Sequence, residues 1–201
     1  MTVEHITERQ IDVIKELINL GAGKGAEVLN SFLGSHIDLS IPDVRIVTGG
    51  ELRKVFLIDT EENLSSVEMN FSGSVSGAAE LIFLSENASK LVELITGEHD
   101  IDHDFDEVKS ATFTEVGNII INAVLGSISN ELTLKLTFTI PTYIEGRLDD
   151  LFSLLQKNES SVIIVARTQF IIQKTEIEGS IAIFFGLHSF DSFLEAIDTY
   201  I

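Results

Sequence analysis

The chain has no cysteine, no tryptophan and only two prolines among its 201 residues, and it carries 13 basic residues against 32 acidic ones. Without cysteine there is no disulfide scaffold, no thiolate metal ligation and no cysteine catalysis, which fits a reducing compartment. Scarce proline argues against a linker-rich or low-complexity protein. The shortage of Lys and Arg leaves a formal charge of −19. That charge argues against nucleic acid or an anionic membrane surface as a partner, since both would be repelled. The apolar runs at 119–124 and 162–166 fall far short of the roughly 20 residues of a spanning helix. The start, Met1-Thr2-Val3-Glu4-His5, is polar and acidic where a secretory signal needs a basic and then an apolar stretch. A soluble, cytoplasmic protein without membrane insertion is expected. Apolar residues nevertheless make up 44% of the chain, with 13 Phe, enough for a sizeable core and too many for disorder.

The sequence repeats itself. Glu16, Asn19 and Pro42 recur as Glu115, Asn118 and Pro141, each displaced by 99 residues. Gly77-Ala-Ala-Glu-Leu-Ile-Phe-Leu84 parallels Gly179-Ser-Ile-Ala-Ile-Phe-Phe-Gly186, and amphipathic segments follow at 85–95 and 188–197. These landmarks divide the single domain, 1–201, into two repeats of about 1–104 and 105–201. Each repeat opens with a long helical pattern, at 7–33 and 105–129. Strand patterns follow at 44–47, 67–74 and 77–84, then at 133–144, 161–172 and 177–185. Hairpins are expected at 73–77 and 174–179, and Ser85 is the expected N-cap of a closing helix. Without alternating βαβ units, a parallel nucleotide-binding sheet is not expected. The predicted fold is α+β: a pseudo-twofold duplicated domain whose largely antiparallel sheet takes strands from both halves, with two long exposed helices and two shorter ones.

At 100° per residue, Ile11, Ile14, Ile18, Gly21, Gly25, Val28 and Phe32 share one face of the first helix, and Asp12, Glu16, Asn19 and Gly23 gather opposite. In the second helix Phe113, Gly117, Ile120 and Val124 form the buried face, with Ala111, Glu115, Asn118 and Asn122 opposite. A Glu and an Asn three residues apart therefore face solvent on both helices. One such pair is ordinary for a solvated face. Two at a constant offset are not, because Asn is a poor helix former and packing does not require it twice. Gly23 removes side-chain bulk beside the first pair, at roughly 1 kcal/mol of helix stability, and so permits close approach of another surface.

The spacing Asp12-x3-Glu16-x2-Asn19-x22-Pro42 resembles the pattern of the CheC/CheX/FliY family of bacterial chemotaxis phosphatases: Asp or Ser, then Glu, Asn and Pro at these intervals. Glu115-x2-Asn118-x22-Pro141 repeats it, with Ala111 where the family has Asp or Ser. Two complete Glu/Asn pairs in about 200 residues resemble the CheC branch; CheX-like members carry one pair, and FliY-like members add a flagellar switch domain. The resemblance spans essentially the whole chain. It implies a substrate, the aspartyl phosphate of a CheY-like response regulator, and no cofactor of the enzyme's own, since the regulator brings its Mg²⁺. It implies that Asn19 and Asn118 position the attacking water, for which a carboxamide has both donor and acceptor, as a Gln does in small GTPases. Glu16 and Glu115 would pair with the regulator's active-site Lys. Asp12 would add negative charge to the docking face, and Asn122, standing where the first helix has Gly23, would crowd the second site. The first site is expected to be at least as active as the second.

Two motifs mislead. Gly21-Ala-Gly23-Lys24-Gly25 lacks the spacing, the Ser or Thr and the preceding strand of a phosphate loop, and small residues for close helix packing explain it better. The acidic run at 98–107, with His99 and His103, lacks the central Gly and terminal Glu of a calcium loop; an acidic lead into a helix N-terminus is the simpler account. Two other functions remain open: a non-catalytic binding module for a CheD-like receptor deamidase, and a phosphatase of a non-chemotaxis receiver domain.

Overall fold

A computed structural model describes residues 6–33, 36–52, 55, 62–97, 105–147 and 161–201. The elements run α1 (Glu8–Leu33), β1 (Ile37–Thr48), a 3-10 turn at Gly49–Glu51, β2 (Asn63–Gly73), β3 (Gly77–Leu84), α2 (Ser85–Thr96), α3 (Phe105–Glu131), β4 (Leu136–Phe138), β5 (Thr142–Arg147), β6 (Val162–Ile172), β7 (Thr175–Phe185) and α4 (Leu187–Tyr200). All strand pairings among the described residues are antiparallel, in a seven-stranded sheet ordered β1-β6-β7-β3-β2-β4, with β5 also on β2. The fold is the α+β duplication expected.

The sheet is symmetric about its β3–β7 pair. Each repeat's leading strand leaves its own half and pairs with the second strand of the other: β1 on β6, and β4 with β5 on β2. The registers match as well. Asp43 faces Arg167, and their counterparts 99 residues away, Thr142 and Glu68, face each other. The prolines fall at matching places. Pro42 lies within the register shift between Ser40 and Asp43 of β1. Pro141 separates β4 from β5, so the single strand expected over 133–144 is broken. Proline removes a ladder N–H and tolerates only such irregular positions.

Turn and cap chemistry fix the ends. Thr7 and Gln10 form a capping box on α1: Gln10 N–H donates to Thr7 Oγ1 (3.2 Å), and Thr7 N–H donates to Gln10 Oε1 (2.9 Å). Gln10 Nε2 then donates to Asp198 of α4 at 2.8 Å. The second hairpin turns at Gln173 and Lys174, both at positive φ (51° and 70°), the geometry of a two-residue turn that follows the strand twist. It therefore closes earlier than expected, and Gly179 lies inside β7 against the Phe83 ring, where a Cβ would come within 2.6 Å. Ser85 is not the cap of α2: Leu84 occupies that position, and the Ser85 hydroxyl instead meets Ser65 at 3.1 Å.

The helices α1 to α4 all contribute to one apolar core over one face of the sheet, where Phe83 packs against Phe113 and Phe170 at centroid distances of 5.3 and 5.4 Å. A smaller apolar cluster on the other face includes Leu64, Ala78, Ile82, Val165 and Phe184. Glu80 shares that face by strand alternation. It is 2% exposed and accepts a hydrogen bond from Ser66 Oγ at 3.0 Å. Within α3, Glu107–Glu131 is long and apolar enough to cross a membrane by length and composition, but half of its most apolar window is buried within the fold.

Phe113, Gly117, Ile120 and Val124 of α3 are buried as predicted. On α1 the prediction drifts: Ile14, Ile18, Gly21 and Gly25 are buried, but Val28 is 51% exposed and Ala22, Ala26 and Leu29 are buried instead. The predicted stripe repeats every 3.5 residues, and a straight helix departs from that repeat by about 20° per heptad. The Phe32 side chain, His5, residues 98–104 and with them the expected repeat boundary lie outside the described residues.

Candidate functional site

Small residues bring α1 and α3 together. A Cβ on Gly21 would lie 2.5 Å from Val124 Cα, and one on Gly25 would lie 3.0 Å from Ile120 Cδ1 and 3.4 Å from Ala123 Cβ. Close backbone approach, not phosphate binding, is therefore what these glycines serve. The contacts run in opposite directions along the two helices, so the pair is antiparallel, with Gly23 level with Asn122 at its centre. Asn19 and Asn118 each lie four residues before that centre on their own helix. They are displaced in opposite directions, by roughly 12 Å in total along the axes.

Both helices bury one side in the same core, so their free faces look the same way. On α1, Asp12, Glu16, Asn19 and Gly23 are all exposed, and a Cβ on Gly23 would meet nothing within 4 Å. On α3, Ala111 and Glu115 are exposed, while Asn118 and Asn122 are half-buried. Glu16 and Glu115 have no hydrogen-bond or ion-pair partner among the described residues, which leaves both carboxylates available to an incoming cation. Pro42 and Pro141 lie on the sheet rather than on this helical surface, and they shape the strands that follow α1 and α3.

The two carboxamides are held differently. Asn19 Nδ2 donates to the Lys15 carbonyl one turn back (3.0 Å), leaving its Oδ1 without a partner among the described residues. At the second site Asn122 Nδ2 donates both to the Asn118 backbone carbonyl (2.8 Å) and to Asn118 Oδ1 (2.7 Å). Asn19 thus presents an open acceptor, and Asn118 an acceptor already in use. Crowding by Asn122 was legible from its offset against Gly23; the hydrogen bond was not.

Other features of this region escaped the sequence reading. Leu20, 41% exposed, adds apolar surface next to Asn19. Near the start of α3, buried Lys109 pairs with Glu145 of β5 at 3.0 Å, and Tyr143 donates to the same carboxylate at 2.7 Å. Burial pushes the Glu145 carboxyl up, but hydrogen bonds from Tyr143, Lys109 and Ser85 and the Lys109 charge outweigh it and hold it below the ordinary value. This network ties the start of α3 to the sheet. Among the described residues no three His, Asp or Glu side chains are grouped to hold a metal ion.

No protein-family model matches the chain. In sequence it is 25% identical over 139 residues to the CheY-P phosphatase CheC of Bacillus subtilis, and 22% identical over 141 residues to the flagellar motor switch phosphatase FliY of the same organism. The aligned regions are 68% and 69% of this chain, and span just under two thirds of CheC (66%) and about a third of FliY (36%). In structure it superposes on Thermotoga maritima FliY with a TM-score of 0.77 at 18% identity, covering 98% of this chain and 100% of that one. A chain of the CheX–CheY–BeF3–Mg²⁺ complex from Borrelia burgdorferi gives 0.55 at 21% identity, over 85% of this chain and 96% of that one. In sequence the chain is thus similar to CheC and FliY, and its fold is the one these structures share.

Proposed function

We propose that the protein is a phosphatase that hydrolyses the aspartyl phosphate of a CheY-like response regulator in the cytoplasm. The observation that carries this reading is the pair of Glu/Asn sets on the outward side of two antiparallel helices, with Glu16, Asn19 and Glu115 exposed and Asn118 half-buried. Fold alone does not assign chemistry, which resides in the site. The names of the relatives support the substrate class: one is a CheY-P phosphatase, and a CheX was captured with CheY, BeF3 and Mg²⁺.

The helix face at the first pair is open to solvent, and that suits the reaction. An acyl phosphate sits in a shallow pocket on its own protein and already has a good leaving group. The regulator's own Mg²⁺ lowers the charge on the phosphoryl group, so this chain needs to contribute neither a nucleophile nor a metal ion. Its task is to insert a helix face and set one water in line with the phosphorus. The Asn19 carboxamide oxygen Oδ1 accepts a hydrogen bond from that water and so directs a lone pair at phosphorus. Glu16, free of internal partners, pairs with the regulator's active-site Lys and fixes the register of the inserted helix. Gly23, one turn further on, lets the two backbones approach. Glu115 and Asn118 take the same roles at the second site.

The test is the decay of a ³²P-labelled, Mg²⁺-bound CheY-like receiver with and without catalytic amounts of the protein. Accelerated decay that vanishes in the Asn19→Ala, Asn118→Ala double variant supports the reading. A folded wild-type protein that accelerates no receiver from its own cell refutes it and leaves an adaptor role toward a CheD-like deamidase.

A further inference from the structure

We infer that Asn122 is a positioning residue that restrains the second site by occupying the Asn118 carboxamide oxygen. The inference rests on the function proposed above. In the attacking water the oxygen lone pair must face phosphorus, so its protons need acceptors on the opposite side. At the first site Asn19 Oδ1 is free to be that acceptor, because the amide nitrogen is the end tied to the helix. At the second site the polarity is reversed: Asn122 Nδ2 holds Asn118 Oδ1 at 2.7 Å, and a second bond from the same nitrogen to the Asn118 carbonyl anchors it there. The water is left the remaining lone pair of that oxygen, beside an intramolecular donor that is always present and constrains where the water can sit. The equivalent position of the first helix is Gly23, which has no side chain to compete and open space where one would stand. One residue at the centre of the helix pair therefore makes two otherwise matching sites unequal.

The experiment reads each site alone. In an Asn19→Ala background only the second site remains, and adding Asn122→Ala is expected to raise its kcat by roughly three- to tenfold, the size of one net hydrogen bond, with KM within twofold. Asn122→Leu keeps the bulk but removes the donor. A similar rise there assigns the effect to the hydrogen bond, and a kcat left at the parent value assigns it to bulk and overturns the proposal. In an Asn118→Ala background Gly23→Asn is expected to lower kcat at the first site by a comparable factor. An unchanged kcat in the Asn122→Ala variant overturns the inference, as does a fall, which would make Asn122 an aid to Asn118. Neither result touches the proposed function so long as the wild type accelerates decay. If the wild type accelerates nothing, the function fails and this inference falls with it.

Discussion

Gly23 and Asn122 are counterparts in the two repeats, and they also stand level with each other across the α1–α3 crossing. The symmetry axis of the molecule thus runs between them, and the two Glu/Asn pairs flank it at close range. With roughly 12 Å of axial displacement and helices 8–10 Å apart, Asn19 and Asn118 are on the order of 15 Å from each other. A domain of about 100 residues has a radius of gyration of about 13 Å, so a receiver docked on one pair covers the other. Calorimetric titration with a receiver locked in its phosphorylated form by BeF3 is expected to give one receiver per chain. Two per chain would show that the sites are independent.

Loss of either Asn is expected to lower kcat at its own site far more than it raises KM there, because water positioning matters in the transition state and little in docking. The double variant should lose on the order of 10²-fold or more. Glu16→Gln is expected to raise KM and lower kcat together, since the carboxylate sets the register of the complex. Single-turnover decay at several enzyme concentrations separates the two cases.

Two glycines two residues apart should respond oppositely to alanine. Gly21→Ala drives a methyl into the Val124 backbone, which no rotamer change relieves, and is expected to cost about 1–3 kcal/mol. Gly23→Ala meets open space, so it should stabilise by about 0.5–1 kcal/mol while raising KM, because the methyl lies on the docking face. Thermal unfolding and phosphatase kinetics on the same samples test both halves.

Buried Glu80 should leave a mark on the pH dependence of stability. Burial, only partly offset by the Ser66 hydrogen bond and reinforced by the Glu68 charge, pushes its carboxyl up from 4.5 to about 8. The folded chain then holds a proton that the unfolded chain releases between those values, so stability falls as pH rises through this window and levels off above it. Glu80→Gln cannot release a proton and is expected to flatten the decline, with a gain on the order of 1–3 kcal/mol near pH 8 and little change near pH 4.5. Melting temperatures of both proteins from pH 4.5 to 8.5 measure it, and parallel curves would disprove the assignment.

The fold was largely legible because the duplication supplied each element twice, and a strand that is ambiguous in one repeat is clearer in the other. The short β1 prediction and the overlong 133–144 strand are two views of one element, interrupted in both copies by its proline. What escaped were features that depend on partners distant in sequence. Nothing near Ser85 reveals that its hydroxyl is drawn to Ser65 rather than to the start of its own helix. The turn at Gln173 and Lys174 carries no glycine, so its positive φ values are imposed by the flanking β6–β7 ladder. At the site, the spacing of Glu and Asn placed both pairs on the right faces. The direction in which each amide turns is set by its neighbours one helical turn away, and position alone does not disclose it.

The interleaved sheet order bears on how the chain is made. Among the described residues β1, complete by residue 48, pairs only with β6, which begins at residue 162. A ribosome must therefore polymerise more than half of the protein while that strand's N–H and C=O groups stand unpaired. Long-range pairings of this kind slow folding and leave strand edges open to other chains. The nascent first repeat is thus the aggregation-prone species, and cutting the gene at its obvious midpoint would strand each half with an orphan edge.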